Sequence, residues 1–294
     1  MAKAAWIAQQ TDARFVRELF PVRKRDTHKG DYGKVLLLCG SEGLTGAARL
    51  AAKAALRTGS GLVYLGVPEK IYPIVAAASG SEIVFPLPCD GKGRLSLAAL
   101  EPIGARMEAM DAVLLGPGLG RSEELTALCV SLVRRCRVPL VLDADGINAL
   151  AAHKDVLRES ACPIVLTPHG GEFLRLGGDP LHRDPVSEAM RVSAETGCVV
   201  LLKGCRTVLT DGLNVYRNAT DNPGLATGGS GDVLAGMIVS LLGQHVMPLE
   251  AAAAAAWLHG AAADLAAQTT GEYSLLPEDV LDSLPRLLKQ IGGV

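Results

Sequence analysis

Several short segments of this 294-residue chain combine glycine with side chains able to handle a phosphate or a proton. The strongest is Gly228-Gly229-Ser230-Gly231-Asp232, which runs into an apolar helical pattern. Glycine lacks Cβ, so the chain can bend sharply there and present successive N–H groups. With the positive end of a following helix, the backbone of Gly229, Ser230 and Gly231 forms an anion cradle. Asp232 falls in the first helical turn. An acid there either stabilises the helix end, or takes a proton from a hydroxyl that accepts a phosphoryl group.

Other segments carry related chemistry. In Lys203-Gly204-Cys205-Arg206-Thr207 the lysine can reach a phosphate and the backbone can border an adenosine phosphate; a plain surface lysine is the alternative. In Thr167-Pro168-His169-Gly170-Gly171-Glu172, His169 suits a hydrogen-bonding ligand contact, although a lone histidine is more often structural. Glu172 suits water held around Mg²⁺. Asp143-Ala144-Asp145 places two acids together, for Mg²⁺ or a hydroxyl ligand, or with Asp145 merely capping a short helix. Gly116-Pro117-Gly118-Leu119-Gly120 serves equally as a tight turn or a ligand edge. The glycines at 40, 43 and 46 fit neither the Rossmann nor the Walker spacing.

The elements around these segments explain why they matter together. Short apolar runs at Lys34–Cys39, Leu62–Val67, Asp111–Leu115, Pro139–Asp143, Pro163–Leu166 and Val199–Leu202 alternate with helical patterns such as Thr45–Thr58. That rhythm is a parallel sheet buried on both faces. Asp211-Gly212 between Arg206–Thr210 and Asn214–Arg217 signals a hairpin. Helical patterns follow at Ser230–Leu242, Pro248–Ala267 and Pro277–Lys289. The expected fold is therefore α/β, a mostly parallel sheet with an antiparallel edge hairpin. Five of the segments follow a strand, at the edge where open α/β sheets bind ligands. No repeat, linker or charge block divides the chain. One domain over 1–294 is expected, with an irregular N-terminal arm of about 25 residues.

Composition excludes other classes. Hydrophobic residues make up 49% and charged residues 20%, enough for a large core. A net charge of −2 supplies no field for nucleic acid. Arg23-Lys24-Arg25 reads as a solvated face, or as a guide for an anionic substrate. Seven cysteines, odd in number and without a Cys-x-x-Cys pair, read as reduced thiols of a cytoplasmic protein. No signal-peptide core and no apolar run of about 18 residues is present, so no membrane association is expected.

Lys29-Gly-Asp-Tyr-Gly33, Gly116-Pro-Gly-Leu-Gly120, Asp143-Ala-Asp-Gly146, Thr167-Pro-His-Gly-Gly-Glu172, Leu202-Lys-Gly204 and Gly228-Gly-Ser-Gly-Asp232 follow one another as in the ADP/ATP-dependent NAD(P)H-hydrate dehydratases. The chain resembles that family over about residues 25 to 285. The Gly-x-Gly-Asp turn alone marks only the broader ribokinase-like superfamily. The resemblance implies a three-layer α/β/α fold and the loss of water from hydrated NADH or NADPH at the expense of a nucleotide phosphate. It implies that Ala47, Gly118, His169 and Asp232 contact the hydrated dinucleotide, with Asp232 activating the hydroxyl. Lys203–Thr207 and Gly231 become nucleotide contacts. ADP is typical of stand-alone bacterial members and ATP of eukaryotic ones, with Mg²⁺ required. A separate epimerase as functional partner and a homo-oligomer such as a tetramer are further implications; the Ala-rich stretch near residue 255 serves either such an interface or the core. Position 170 is Gly where many relatives have Pro or Ala. The competing reading within the superfold is a kinase for a vitamin-precursor alcohol of the hydroxymethylpyrimidine or thiazole type. A non-catalytic nucleotide sensor is a third, disfavoured because a sensor has no need of Asp232.

Overall fold

The computed structural model describes residues 8–20, 23–181 and 183–292. The strands are β1 (Gln9–Gln10), β2 (Lys34–Leu38), β3 (Leu62–Pro68), β4 (Ile83–Leu87), β5 (Ala112–Leu115), β6 (Leu140–Leu142), β7 (Ile164–Leu166), β8 (Val199–Leu202), β9 (Val208–Thr210) and β10 (Val215–Arg217). The α-helices are α1 (Ala13–Glu18), α2 (Thr45–Arg57), α3 (Tyr72–Ala77), α4 (Leu100–Met107), α5 (Glu123–Arg135), α6 (Asp145–Leu150), α7 (Lys154–Arg158), α8 (Gly170–Arg175), α9 (Pro185–Thr196), α10 (Ser230–Gly243), α11 (Pro248–Thr270) and α12 (Pro277–Gly292).

The strands form one sheet in the order β1-β10-β9-β8-β7-β6-β5-β2-β3-β4. From β4 to β8 every pairing is parallel. The β9–β10 hairpin, turned by Asp211-Gly212 as its sequence signals, runs antiparallel, and β9 pairs antiparallel with β8. The central strands are apolar throughout because successive side chains enter different cores. Val35 and Leu37 of β2 join a core with α2, α10, α11 and α12, whereas Leu36 and Leu38 join one with α4, α5 and α9. The result is three layers, α/β/α.

Close helix packing sets the position of α10. A Cβ on Gly236 would lie 2.3 Å from the Ala51 carbonyl oxygen of α2. Only a glycine lets the two helices approach that far. Ala251–Ala256 of α11 are buried against the same core, so the Ala-rich stretch serves the interior of the chain.

Two regions depart from expectation. The N-terminal arm is not wholly irregular. Its β1 pairs with β10, and α1 is capped by Asp12, whose Oδ1 accepts from the Phe15 N–H at 2.7 Å. Val16 is buried and the Phe15 ring lies 5.3 Å from Tyr216, contacts that the six residues of α1 cannot announce by themselves. Strand β4 contains Pro86, tolerated because β4 is the sheet edge. No described helix is long and apolar enough to cross a membrane.

Candidate active site

The turns after β2, β5, β6, β7 and β8 and the start of α10 converge on Asp143. Its carboxylate is buried at the end of β6. Asp143 Oδ1 accepts from Thr167 Oγ1 at 2.7 Å and from Lys203 Nζ at 2.8 Å. Burial works against the charge on Lys203, but Asp143, Glu172 and Asp232 outweigh it and raise its pKa, so the ammonium stays protonated. A Cβ on Gly116 would stand 1.8 Å from the Asp143 carbonyl oxygen, so the β5 turn lies directly on the β6 turn. Between the two acids, Ala144 has φ +47°, a strained value for a residue with a Cβ. Asp145, in the first turn of α6, is held by Gly120 N at 2.9 Å, Arg121 Nε at 3.3 Å and Asn148 Nδ2 at 3.2 Å.

Asp232 sits at the centre of this acidic group. Among the described residues nothing donates a hydrogen bond to its carboxylate. Partial burial, then the charge of Asp143, and further Asp145, raise its pKa from the ordinary 3.8 to about 7, against the opposing pull of Lys203. Such a carboxyl exchanges a proton near neutrality. The N-terminus of α10 carries no side-chain cap, its N-cap Gly229 has φ +98°, and the buried Ser230 Oγ has no partner among the described residues. A Cβ on Gly231 would come within 3.2 Å of Lys203 Nζ and 3.9 Å of Asp143 Oδ2. The uncapped start of α10 and the Lys203 ammonium therefore lie side by side, with Ser230 N turned to Thr227 O at 3.5 Å.

On one side lies the Lys203–Thr207 loop. Lys203 N donates to Pro168 O at 2.9 Å, joining the β7 and β8 turns. The loop closes with Thr207 Oγ1 on Gly204 O at 3.1 Å and Arg206 N on Asp221 Oδ2 at 3.3 Å. A cavity of about 430 Å³ opens there, lined by Pro180, Leu181, Val186, Lys203, Cys205 and Arg206 among others. Apolar walls with a lysine at one end suit a nucleotide.

On the other side, Ala47 in the first turn of α2 lies under Gly118, whose Cβ would be 2.9 Å from that of Ala47. Ser41 Oγ donates to Gly118 O at 2.8 Å and Gly40 N to Pro117 O at 2.8 Å. His169 is the exposed N-cap of α8. Its Nδ1 accepts from Gly171 N at 3.0 Å, and its own N–H donates to Glu172 Oε2 at 2.9 Å. Glu172 is buried, with Oε1 3.3 Å from His169 Nε2. Oε2 thus caps α8 while Oε1 faces the His169 ring.

Some expectations shift in emphasis. The opening Lys29–Gly33 lies before β2, at the amino ends of the strands, where a Cβ on Gly61 would lie 1.7 Å from Lys29 O. It packs there, at the end of the sheet opposite the carboxyl ends of the strands. Arg121 and Arg175 enter the site region only through spatial contacts; no local pattern marks them. His259 of α11 is also new. It is buried, its Nε2 has no partner among the described residues, and burial followed by Lys203 lowers its pKa to about 4, leaving a neutral imidazole at pH 7.

The sequence and fold are similar to those of known proteins. A family model described as NAD(P)H-hydrate dehydratase matches residues 35–286. The bifunctional NAD(P)H-hydrate repair enzyme Nnr of Moorella thermoacetica is 44% identical over 95% of this chain and 53% of its own length. This chain thus spans about half the length of that relative. The ADP-dependent (S)-NAD(P)H-hydrate dehydratase of Bacillus subtilis is 36% identical over 94% of this chain and 96% of its own length. The crystal structure of the ADP/ATP-dependent NAD(P)H-hydrate dehydratase from Bacillus subtilis, co-crystallised with ATP/Mg²⁺, superposes with a TM-score of 0.83 at 31% identity, covering 95% of this chain and 97% of that one. With its ribokinase-like fold and its site at the carboxyl ends of the strands, the chain belongs to the NAD(P)H-hydrate dehydratase family.

Proposed function

We propose that this protein dehydrates the S-form of hydrated NADH or NADPH at the expense of ADP or ATP, regenerating the reduced dinucleotide. The observation that carries the reading is Asp232, a carboxyl with a pKa near 7 beside an uncapped helix N-terminus and a charged lysine.

Hydroxide is a poor leaving group, so the ring hydroxyl must first become a better one. Asp232 takes the hydroxyl proton as the oxygen attacks the terminal phosphorus of the nucleotide. The bond from that phosphorus to the nucleotide's bridging oxygen breaks, leaving AMP from ADP, or ADP from ATP. Lys203 and the N–H groups of Gly229, Ser230 and Gly231 stabilise the charge that moves onto the phosphoryl oxygens. The nitrogen lone pair of the ring then expels phosphate by breaking the C–O bond. A proton lost from the neighbouring carbon restores the dihydropyridine. Gly204–Thr207 border the nucleotide; Ala47, Gly118 and His169 border the dinucleotide.

Mg²⁺ would reduce repulsion between the nucleotide phosphates and this acidic site. Among the described residues no group of three His, Cys, Asp or Glu forms a metal cage. Asp145 and Glu172 are already engaged, so the ion fits here as one carried by the phosphates, with any link to Glu172 through water. The bifunctional names of several relatives support a functional link to a second repair activity, an epimerase supplying the S-form.

The test is direct. Purified protein with Mg²⁺, hydrated NADH and either ADP or ATP is expected to restore the NADH absorbance. No restoration with either nucleotide overturns the reading.

A further inference from the structure

A second cavity, of about 440 Å³, opens beside Gly120 and Asp145, away from the Lys203 loop. Its wall includes Arg121, Ser122, Thr126, Asn148 and Arg175. Its wall also carries Gly120, which ends the β5 turn, and Asp145, which follows the β6 turn and whose charge reaches Asp232. A hydrated dinucleotide with its ring at Asp232 must send the rest of its length somewhere. The Lys203 side is taken by the phosphoryl donor.

The two arginines are placed by the protein. Arg121 is oriented through Nε, 3.3 Å from Asp145 Oδ1, and Arg175 through Nη1, 2.9 Å from Asn148 Oδ1. Asn148 in turn donates to Asp145, so both guanidinium groups hang on one carboxylate that Gly120 N also holds. Among the described residues the Nη groups of Arg121 and Nη2 of Arg175 have no acceptor. Glu123 is the other acid on this wall, exposed in the first turn of α5. Two oriented guanidinium groups with free N–H donors match phosphate oxygens.

We propose that this cavity holds the adenylate half of the hydrated dinucleotide, with Arg121 and Arg175 on its phosphate. This rests on the dehydratase reading. Because Arg121 is anchored to Asp145, and Asp145 helps to raise the pKa of Asp232, occupancy of the cavity lies one carboxylate away from the proton acceptor.

The test compares hydrated NADH with hydrated reduced nicotinamide mononucleotide, which lacks the adenylate half, under saturating nucleotide. The readout is the ratio of kcat/KM for the two substrates. Wild-type protein prefers the dinucleotide. Arg121→Ala and Arg175→Ala each lower that preference by about 10-fold, chiefly through KM for the dinucleotide, as expected for lost charge-assisted hydrogen bonds. Both residues are exposed, and thermal melts verify that the variants fold. Arg175→Lys, which keeps charge but loses the fork, falls between. A preference unchanged in both alanine variants overturns the subsite, as does an equal loss of kcat on both substrates. Wild-type protein inactive on both substrates removes the dehydratase reading itself, and the subsite with it.

Discussion

Asp232 and Glu188 are both acids in the first turn of a helix, α10 and α9, and both are drawn into the protein, yet their ionisation is pushed in opposite directions. Glu188 is buried among donors. Arg191 Nη2 lies 2.8 Å from Oε2, Asp179 N 2.9 Å from Oε2 and Arg183 Nη1 3.3 Å from Oε1. Hydrogen bonding by Arg191 outweighs burial and lowers its pKa to about 2. Asp232 has no donor among the described residues, and burial, with the charges of Asp143 and Asp145, raises its pKa to about 7. The structural acid is given partners; Asp232, the proposed proton acceptor, has no donor among the described residues. Burial alone therefore does not mark a carboxylate fit to take a proton near neutrality. The absence of donors does.

The comparison breaks most visibly at Asp232. Asp232→Asn is expected to lower turnover by roughly 1000-fold, the scale of a lost general base, while nucleotide binding persists. It also has a stability signature. The folded pKa lies above the unfolded one, so the folded protein binds the extra proton between pH 4 and 7 and bears the cost of ionisation above pH 7. Removing the charge should raise Tm at pH 8 by roughly 5 °C and leave Tm near pH 4 little changed. Glu188→Gln should do the reverse: stability falls by about 1 kcal/mol at neutral pH, because Arg183 loses this carboxylate and Arg191 keeps only Glu195 and Gly177 O, while the rate per folded molecule is kept. The contribution of Glu188 is fully present above its ordinary value of 4.5 and is lost as pH falls through about 2. Denaturant titration at pH 7 checks it.

Smaller changes sharpen the contrast. Gly236→Ala forces α10 off α2 and should cost about 2 kcal/mol by overpacking, with a several-fold loss of activity as Asp232 moves. Asp143→Asn removes the strongest neighbouring charge that raises the Asp232 pKa and frees Lys203 to lower it. The acid limb of the kcat/KM profile, expected near pH 7 in the wild-type protein, should move to lower pH in the variant.

Much of this was legible in the sequence. The central strands declare themselves because burial on both faces leaves continuous apolar runs, and Asp211-Gly212 declares its hairpin. The cradle at Gly229–Gly231 and Asp232 is local, so a pattern reveals it. The pairing of Asp143 with Lys203 spans 60 residues and needs the register of β6, β7 and β8, which no local pattern supplies. Arg121 and Arg175 become neighbours of one cavity only when α5, α6 and α8 pack. The Lys29–Gly33 opening helped to identify the family, yet it packs at the amino ends of the strands, because a segment can be diagnostic through structure without touching a ligand.

The most direct measurement is a carboxyl-resolved ¹³C NMR titration of the ligand-free protein, following Asp232 and Glu188 in the same spectra. Midpoints near pH 7 for Asp232 and below pH 3 for Glu188 are the result predicted. An Asp232 midpoint below pH 5 would contradict its assignment as the group that takes the proton.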